Sequence, residues 1–381
     1  MGNSNERTDV DTFKNQYEKR ALDTSERYGK AKFYSKKSDA SDMLMVKDYW
    51  TNNLDESTSY DEMVEIRKDI NHENLAKTHA HGISQENQFF TEFYKHSTAH
   101  EYYDHNLYKE IAARKNANPP QSFSEEEVWY YSHSMLDMDE KLMDESMGTA
   151  HGDLQPKTIM LDDEANVKII DNAIATNKGA YKKCCFNDDY FAPIAPEQLL
   201  DLKSTKVNPE HDYNDKGEVW STGITALSAA TGNYPEDYYD WKQKKYLRSK
   251  VQEDLDGLHG NKSPEQIAFI RKCLEEDPNK RWSVSEANEY FTPYRDLAKR
   301  KQLNFMNMQV DQTDEIGHND FFDNQELRHE EVREVQGVQH VVEDFTNEID
   351  GGDFFDNDDL RHEEVRHIQG VQQVNDNVQF F

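Results

Sequence analysis

Carboxylates can take a proton from a hydroxyl or hold a cation, and one stretch of this 381-residue chain sets two of them around a short apolar module. Between residues 151 and 173 the order is Asp153, Pro156, the run Ile159-Met160-Leu161, the acidic turn Asp162-Asp163-Glu164-Ala165-Asn166, the run Val167-Lys168-Ile169-Ile170, and Asp171. Two apolar runs of strand length around turn-forming residues predict loop, strand, turn, strand, loop. The two aspartates then flank one hairpin.

A framework must hold that hairpin on both sides. Residues 1–18 are polar and without apolar periodicity, which predicts a loose tail. From Ala21 to Trp50 short mixed runs end in Met43-Leu44-Met45-Val46-Lys47, a strand pattern. Residues 60–70 read as a helix, and 89–104 as two more strands. Ser124 ahead of Glu125-Glu126-Glu127 predicts an N-cap with an acidic first turn. The long helix it opens runs to about Gly148 and delivers the chain to His151. A later apolar helix ends near Thr231-Gly232.

This arrangement resembles the catalytic and magnesium-binding loops of eukaryotic protein kinases, H-R-D-L-x-x-x-N followed by D-F-G. The resemblance implies that Asp153 accepts the substrate hydroxyl proton and that Asp171 holds the metals bridging the ATP phosphates, with Thr158 as a weak oxygen ligand at the asparagine position. It also exposes departures: Gly152 replaces the arginine, Gln155 the lysine after the catalytic aspartate, and D-F-G reads Asp171-Asn172-Ala173. Met43 to Lys47 is similar to the V-A-I-K strand and makes Lys47 the phosphate-pairing lysine. His72-Glu73-Asn74-Leu75 is similar to the H-P-N-I after the family's third helix. Counting back from it reaches Met63, so Glu62 is expected to pair with Lys47, with Glu65 in reserve.

Aligning Tyr28-Gly29-Lys30-Ala31 with the end of the glycine-rich loop keeps Gly29 and Ala31 at the nucleotide and leaves Thr24 and Glu26 where two glycines belong. An acidic Glu26 beside a triphosphate would repel it. Glu101-Tyr102-Tyr103-Asp104 resembles the hinge, with His100 beside the adenine pocket. Ala195-Pro196-Glu197 matches A-P-E and closes an activation segment containing Thr176, Tyr181 and Tyr190. Glu218-Val219-Trp220-Ser221-Thr222-Gly223 resembles D-x-W-S-x-G, and the stretch from Cys273 to Arg281 matches C-L-x-x-D-P-x-x-R. The resemblance gives Glu197, Arg281 and Trp220 structural roles, the first two as an ion pair.

The implied fold is α+β and two-lobed: a small β-rich lobe over 19–103 and a larger helical lobe over 104–303. The implied function is that of a pseudokinase, a kinase-like body used for protein binding, with ATP and Mg²⁺ binding weakened and phosphotransfer feeble or absent. Phosphoryl transfer depends on the positioning and charge-neutralising groups that are missing here. Two other readings stay open. One is an active, divergent serine/threonine kinase in which Lys157 stands in for the lost lysine; the other is an ATP-binding switch without turnover.

Composition sets further bounds. The net charge is −31 with 35% hydrophobic residues, a strongly acidic surface that excludes nucleic acid, whose phosphates need clustered Lys and Arg, and that favours basic proteins as partners. Residues 301–381 carry 5 Lys or Arg against 20 Asp or Glu. Within this acidic tail, 304–381, Phe321-Phe322-Asp323-Asn324 and the Leu327 to Arg333 stretch recur 33 residues on, at Phe354-Phe355-Asp356-Asn357 and Leu360 to Arg366. Such a segment has too little apolar surface to fold alone, and three readings stay open: docking to a partner through 313–378, folding against the kinase-like body, and a merely solvated acidic tail. Three cysteines without metal-ligand spacing and the lack of an apolar leader fit an intracellular, cytoplasmic setting, with association with the cytoskeleton or another complex left open. No run approaches the ~18 apolar residues of a transmembrane helix. Gly2 suits myristoylation, but Glu6 stands where that motif wants Ser or Thr, which weighs against a lipid anchor without ruling it out.

Overall fold

The computed structural model describes residues 15–26, 29–88, 91–171, 193–203, 215–240 and 242–294. The chain divides into two units, Met1–Asn307 and Met308–Phe381; all the described residues fall in the first. The repeated tail, the N-terminal residues 1–14 and most of the activation segment therefore lie outside the described residues.

The first lobe is a five-stranded antiparallel sheet of order β1-β2-β3-β5-β4. Its strands are β1 (Tyr17–Glu26), β2 (Gly29–Lys36), β3 (Asp39–Thr51), β4 (Thr78–Gln88) and β5 (Thr91–Glu101). Glu26 pairs with Gly29, so only two residues join β1 to β2. Strand β4 begins well before the 89–104 stretch in which two strands are expected. Its residues Thr78-His79-Ala80-His81-Gly82 offer little apolar alternation, and pairing along β5 orders them instead.

Helix α1 spans Leu54–Arg67, starting earlier than the expected 60–70. Asn53 explains the early start: its side chain accepts the N–H groups of Asp55 and Glu56, satisfying two of the orphan donors of the first turn. The segment after α1 ties the lobes together, because Ala76 N–H donates to Ile169 O at 2.8 Å and Ile169 N–H to Asn74 O at 2.7 Å.

The second lobe contains β6 (His105–Asn106), α2 (Leu107–Asn116), α3 (Glu125–Glu145), β7 (Ile159–Leu161), β8 (Val167–Ile169), α4 (Pro196–Lys203) and α5 (Asp215–Thr231). After these come β9 (Tyr239–Asp240), β10 (Lys245–Tyr246), α6 (Arg248–Gly257), α7 (Pro264–Cys273) and α8 (Val284–Phe291). Ser124 caps α3 in a full capping box with Glu127. The main core sits here, around Trp129, Trp220, Phe269 and Phe291. Gly223 lets α5 approach the end of α7 closely, since a Cβ there would stand 2.6 Å from Cys273 Cβ. Among the described residues no helix is long and apolar enough to cross a membrane.

Candidate active site

The hairpin that brackets the two aspartates forms as the sequence predicts: β7 and β8 pair antiparallel, Ile159 opposite Ile169. Its turn is closed by Asp162, whose Oδ1 accepts the N–H groups of Glu164 and Asn166, with Ala165 at φ +61°. This is side-chain mimicry of a backbone turn by an Asx residue.

Ahead of the hairpin, His151 anchors the loop. The ring is buried, its Nε2 donates to Ile170 O at 3.0 Å, and its Nδ1 accepts the N–H of Asp153 at 3.1 Å. Burial lowers its pKa to about 4, and the charges of Arg67 and Lys47 push the same way against that of Asp171. The ring is thus neutral, as both its bonds require. Two buried carboxylates hold the loop from below: Asp139 Oδ1 accepts His151 N–H at 2.9 Å, and Glu218 Oε1 accepts Gly152 N–H at 2.7 Å. Burial raises the pKa of both, that of Asp139 to about 7. Gly152 at φ +82° takes a turn that an arginine there would adopt only with strain.

Asp153 is buried, and the amide of Gln155 donates to its Oδ1 at 2.6 Å from the position where the family has a lysine. Thr158 stands at the asparagine position, but its hydroxyl donates to the Asp153 carbonyl at 2.6 Å and accepts the N–H of Gln155 at 3.3 Å. The weak metal role expected of Thr158 is corrected accordingly: the hydroxyl braces the loop. Lys157 does not stand in for the missing lysine. Its ammonium lies over the Tyr108 ring and 3.9 Å from Glu236.

On the sheet side, Lys47 is buried on β3 between Ala31 of β2 and Thr98 of β5. Glu62 is exposed on α1, and the residue turned inward beside it is Met63, packed with Tyr60 and Val64. Glu62 is thereby corrected as the helix partner of Lys47. The reserve, Glu65, bonds Lys68 and faces His81.

The charge that α1 delivers to the cleft is Arg67, which the sequence reading missed. Its Nη1 donates to Asp171 Oδ1 at 3.0 Å, and its Nη2 to the carbonyls of Thr149 and Ala150, both at 2.8 Å. A divalent ion is what the family resemblance implies at Asp171, and these residues do not fit one. The Asp171 carboxylate is already bound to a fixed cation, and the neighbouring Thr158 oxygen is engaged within its loop.

Gly29 opens β2 opposite Glu26, and Ala31 is fully buried. Ala31, Phe33, Met45, Ala76, Met160 and Ile170 form one buried cluster, none more than 7% exposed, against which Tyr102 and Tyr103 pack. Met45 occupies the alanine position of the V-A-I-K pattern. Tyr102 meets Phe33 edge-on at 5.3 Å, its hydroxyl bonding Asp104, while the Tyr103 hydroxyl bonds Glu101. His100 is buried with its Nδ1 3.2 Å from the Thr78 hydroxyl, and burial lowers its pKa to about 3. In the second lobe, Arg281 forms a two-pronged pair with Glu197 at 2.7 and 3.0 Å. Its guanidinium lies 4.9 Å from the centre of the Trp220 ring.

A β-sheet carrying a buried lysine, set over a helical lobe whose hairpin presents two aspartates, defines a scaffold of the phosphoryl-transfer type. Residues 28–291, well over half of the chain, match the protein kinase domain, and the chain belongs to that family. Among curated relatives, the hormonally up-regulated neu tumor-associated kinase homolog A of Xenopus laevis is 29% identical over 146 residues, 37% of this chain and 19% of that protein. Mitogen-activated protein kinase kinase 2 of Arabidopsis thaliana is 28% identical over 152 residues, 37% of this chain and 38% of that protein. The human dual specificity mitogen-activated protein kinase kinase 7 is 30% identical over 149 residues, 38% of this chain and 34% of that protein. The chain thus spans well under half the length of each. Domains of this family bind ATP and Mg²⁺ in general.

Proposed function

We propose that this chain is a pseudokinase: a protein-binding scaffold of the kinase family with weak or absent phosphotransfer. The observation that carries this reading is the catalytic loop itself. The Gln155 amide binds the Asp153 carboxylate and the Thr158 hydroxyl binds the Asp153 carbonyl, so the polar groups that would steer a γ-phosphate are spent on one another. Losing one such group costs about 10²–10³ in rate, and several are missing.

Protein partners, reached through the acidic repeats of 313–378 in the cytoplasm, would supply the function. The two Phe-Phe-Asp-Asn copies suit two-site docking on a basic surface, where tethering raises affinity. A second reading is favoured by the retention of Lys47, Asp153 and Asp171, all three buried: a divergent serine/threonine kinase.

The test assays the full chain and a chain ending at residue 303 side by side, for transfer of radiolabel from ATP with Mg²⁺ or Mn²⁺ and for capture of protein partners. The expected result is no signal that depends on Asp153, and partner capture by the full chain alone. Label transfer that disappears in Asp153→Asn would establish the kinase reading instead. Equal capture by both chains would remove the tail from the account.

A further inference from the structure

Arg67 ends α1 with its side chain almost wholly out of water, 3% exposed, against an Asp171 side chain 7% exposed. The guanidinium reaches oxygens from two places: the Asp171 carboxylate and the carbonyls of Thr149 and Ala150, just ahead of His151. A carboxylate with two peptide carbonyls is a set of hard oxygen donors of the kind divalent cations take. Here a side-chain cation already occupies it. Unlike a bound metal, a guanidinium neither dissociates nor loses its proton.

We propose that Arg67 is the resident cation of this cleft, holding Asp171 in place of a divalent ion and excluding one from it. The inference rests on kinase-family membership and deepens the proposed function by giving a second reason for weak phosphotransfer. Charge and geometry carry it. A metal at Asp171 would share its carboxylate with the guanidinium that holds Oδ1 at 3.0 Å, and it would stand beside a like charge in a site with little water to screen it. Retracting the guanidinium would take its N–H from the Ala150 carbonyl, leave the Thr149 carbonyl with the Ser146 hydroxyl at 3.1 Å, and move the last turn of α1. Metal entry is therefore coupled to a shift of that helix. Arg67 also belongs to the buried face of α1, with Tyr60, Met63 and Val64, so it cannot swing out alone.

The test is Mn²⁺ binding to the full chain, followed by electron paramagnetic resonance. Because a chain of net charge −31 collects cations at many surface carboxylates, the readout is the difference between a protein and its Asp171→Asn counterpart. The wild type and Asp171→Asn are expected to bind Mn²⁺ alike. Arg67→Met is expected to gain one site per chain, at least tenfold tighter than the background, that Arg67→Met/Asp171→Asn loses again. Arg67→Lys, which keeps the charge, should gain none. Tenfold tighter binding by the wild type than by Asp171→Asn overturns the inference, as does a folded Arg67→Met that gains no site. If Arg67→Met fails to fold, the wild-type comparison decides alone. A wild type carrying Mn²⁺ at Asp171 but transferring no phosphate would sink this inference and leave the proposed function standing. Asp153-dependent transfer without an Asp171 metal site would do the reverse.

Discussion

Tyr60, Met63, Val64 and Arg67 recur along α1 at the spacing of one helix face, and all four are buried. A helix turns by about 100° per residue, so Glu62, one position from Met63, points into water. Met63→Ala should lower unfolding free energy by about 2–4 kcal/mol through the cavity it leaves. Glu62→Ala should change it by less than about 0.5 kcal/mol, as exposed sites do. Urea titrations of the two variants check this, and equal losses would show the helix phase to be wrong. The same spacing held a signal for Arg67 in advance, since an arginine in line with three apolar residues is a charge placed where burial follows, and such a charge needs a partner. Counting motif positions looked instead for a glutamate and passed over it. Gln155 and Thr158 were legible as substitutions, but what their side chains bind depends on rotamers that residue type alone does not specify.

The elements that stand out in the sequence are those whose order rests on local chemistry. The β7-β8 hairpin has its acidic turn and α3 its Ser124-Glu127 box, and both could be read directly. Strand β4 and the first turns of α1 were missed or shortened because they rest on pairing along β5 and on the Asn53 cap. In the second lobe, the polar lock between α4 and the segment before α8 follows from Glu197 and the Asp277-Pro278-Asn279-Lys280-Arg281 stretch. Arg281 is fully enclosed, giving Nη bonds to Glu197, an Nε bond to Glu275 O and an Nη1 bond to Lys216 O. Removing one partner of a buried pair leaves the other charge uncompensated, at about 3–5 kcal/mol. Arg281→Met should therefore lower the melting temperature strongly, and adding Glu197→Gln should recover part of the loss. A double variant no better than the single would mean that the bonds to backbone, and not the ion pair, make the lock.

Across the whole molecule, acid acts in opposing directions. Lowering pH neutralises some of the carboxylates behind a net charge of −31 and relieves their repulsion. It also favours protonation of Asp139 and Glu218, whose folded pKa values are raised by burial, a contribution present at low pH and lost as pH rises through the folded value. The buried imidazoles oppose this. His96, within hydrogen-bond reach of the Ser57 hydroxyl and of His81 and edge-on to Tyr60, is lowered by burial and then by His81 to about 4. Beyond His81 lie Asp61 and Glu65 of α1. A folded value below the unfolded one, ~6.5, means that the unfolded chain takes the proton first, so the stability held by neutral His96 is complete above pH 6.5 and drains away towards pH 4. The total slope mixes all of these terms, and only a difference isolates the ring. Relative to His96→Gln, the wild type should lose up to about 1.4 kcal/mol of stability per pH unit between pH 6.5 and 4.5. Between pH 7 and 8 the gap should stay constant. Urea midpoints for the two proteins across that range measure it, and a gap that is flat below pH 6.5 would mean that His96 titrates at its ordinary value and that the packing of α1 against β4 and β5 is open to water.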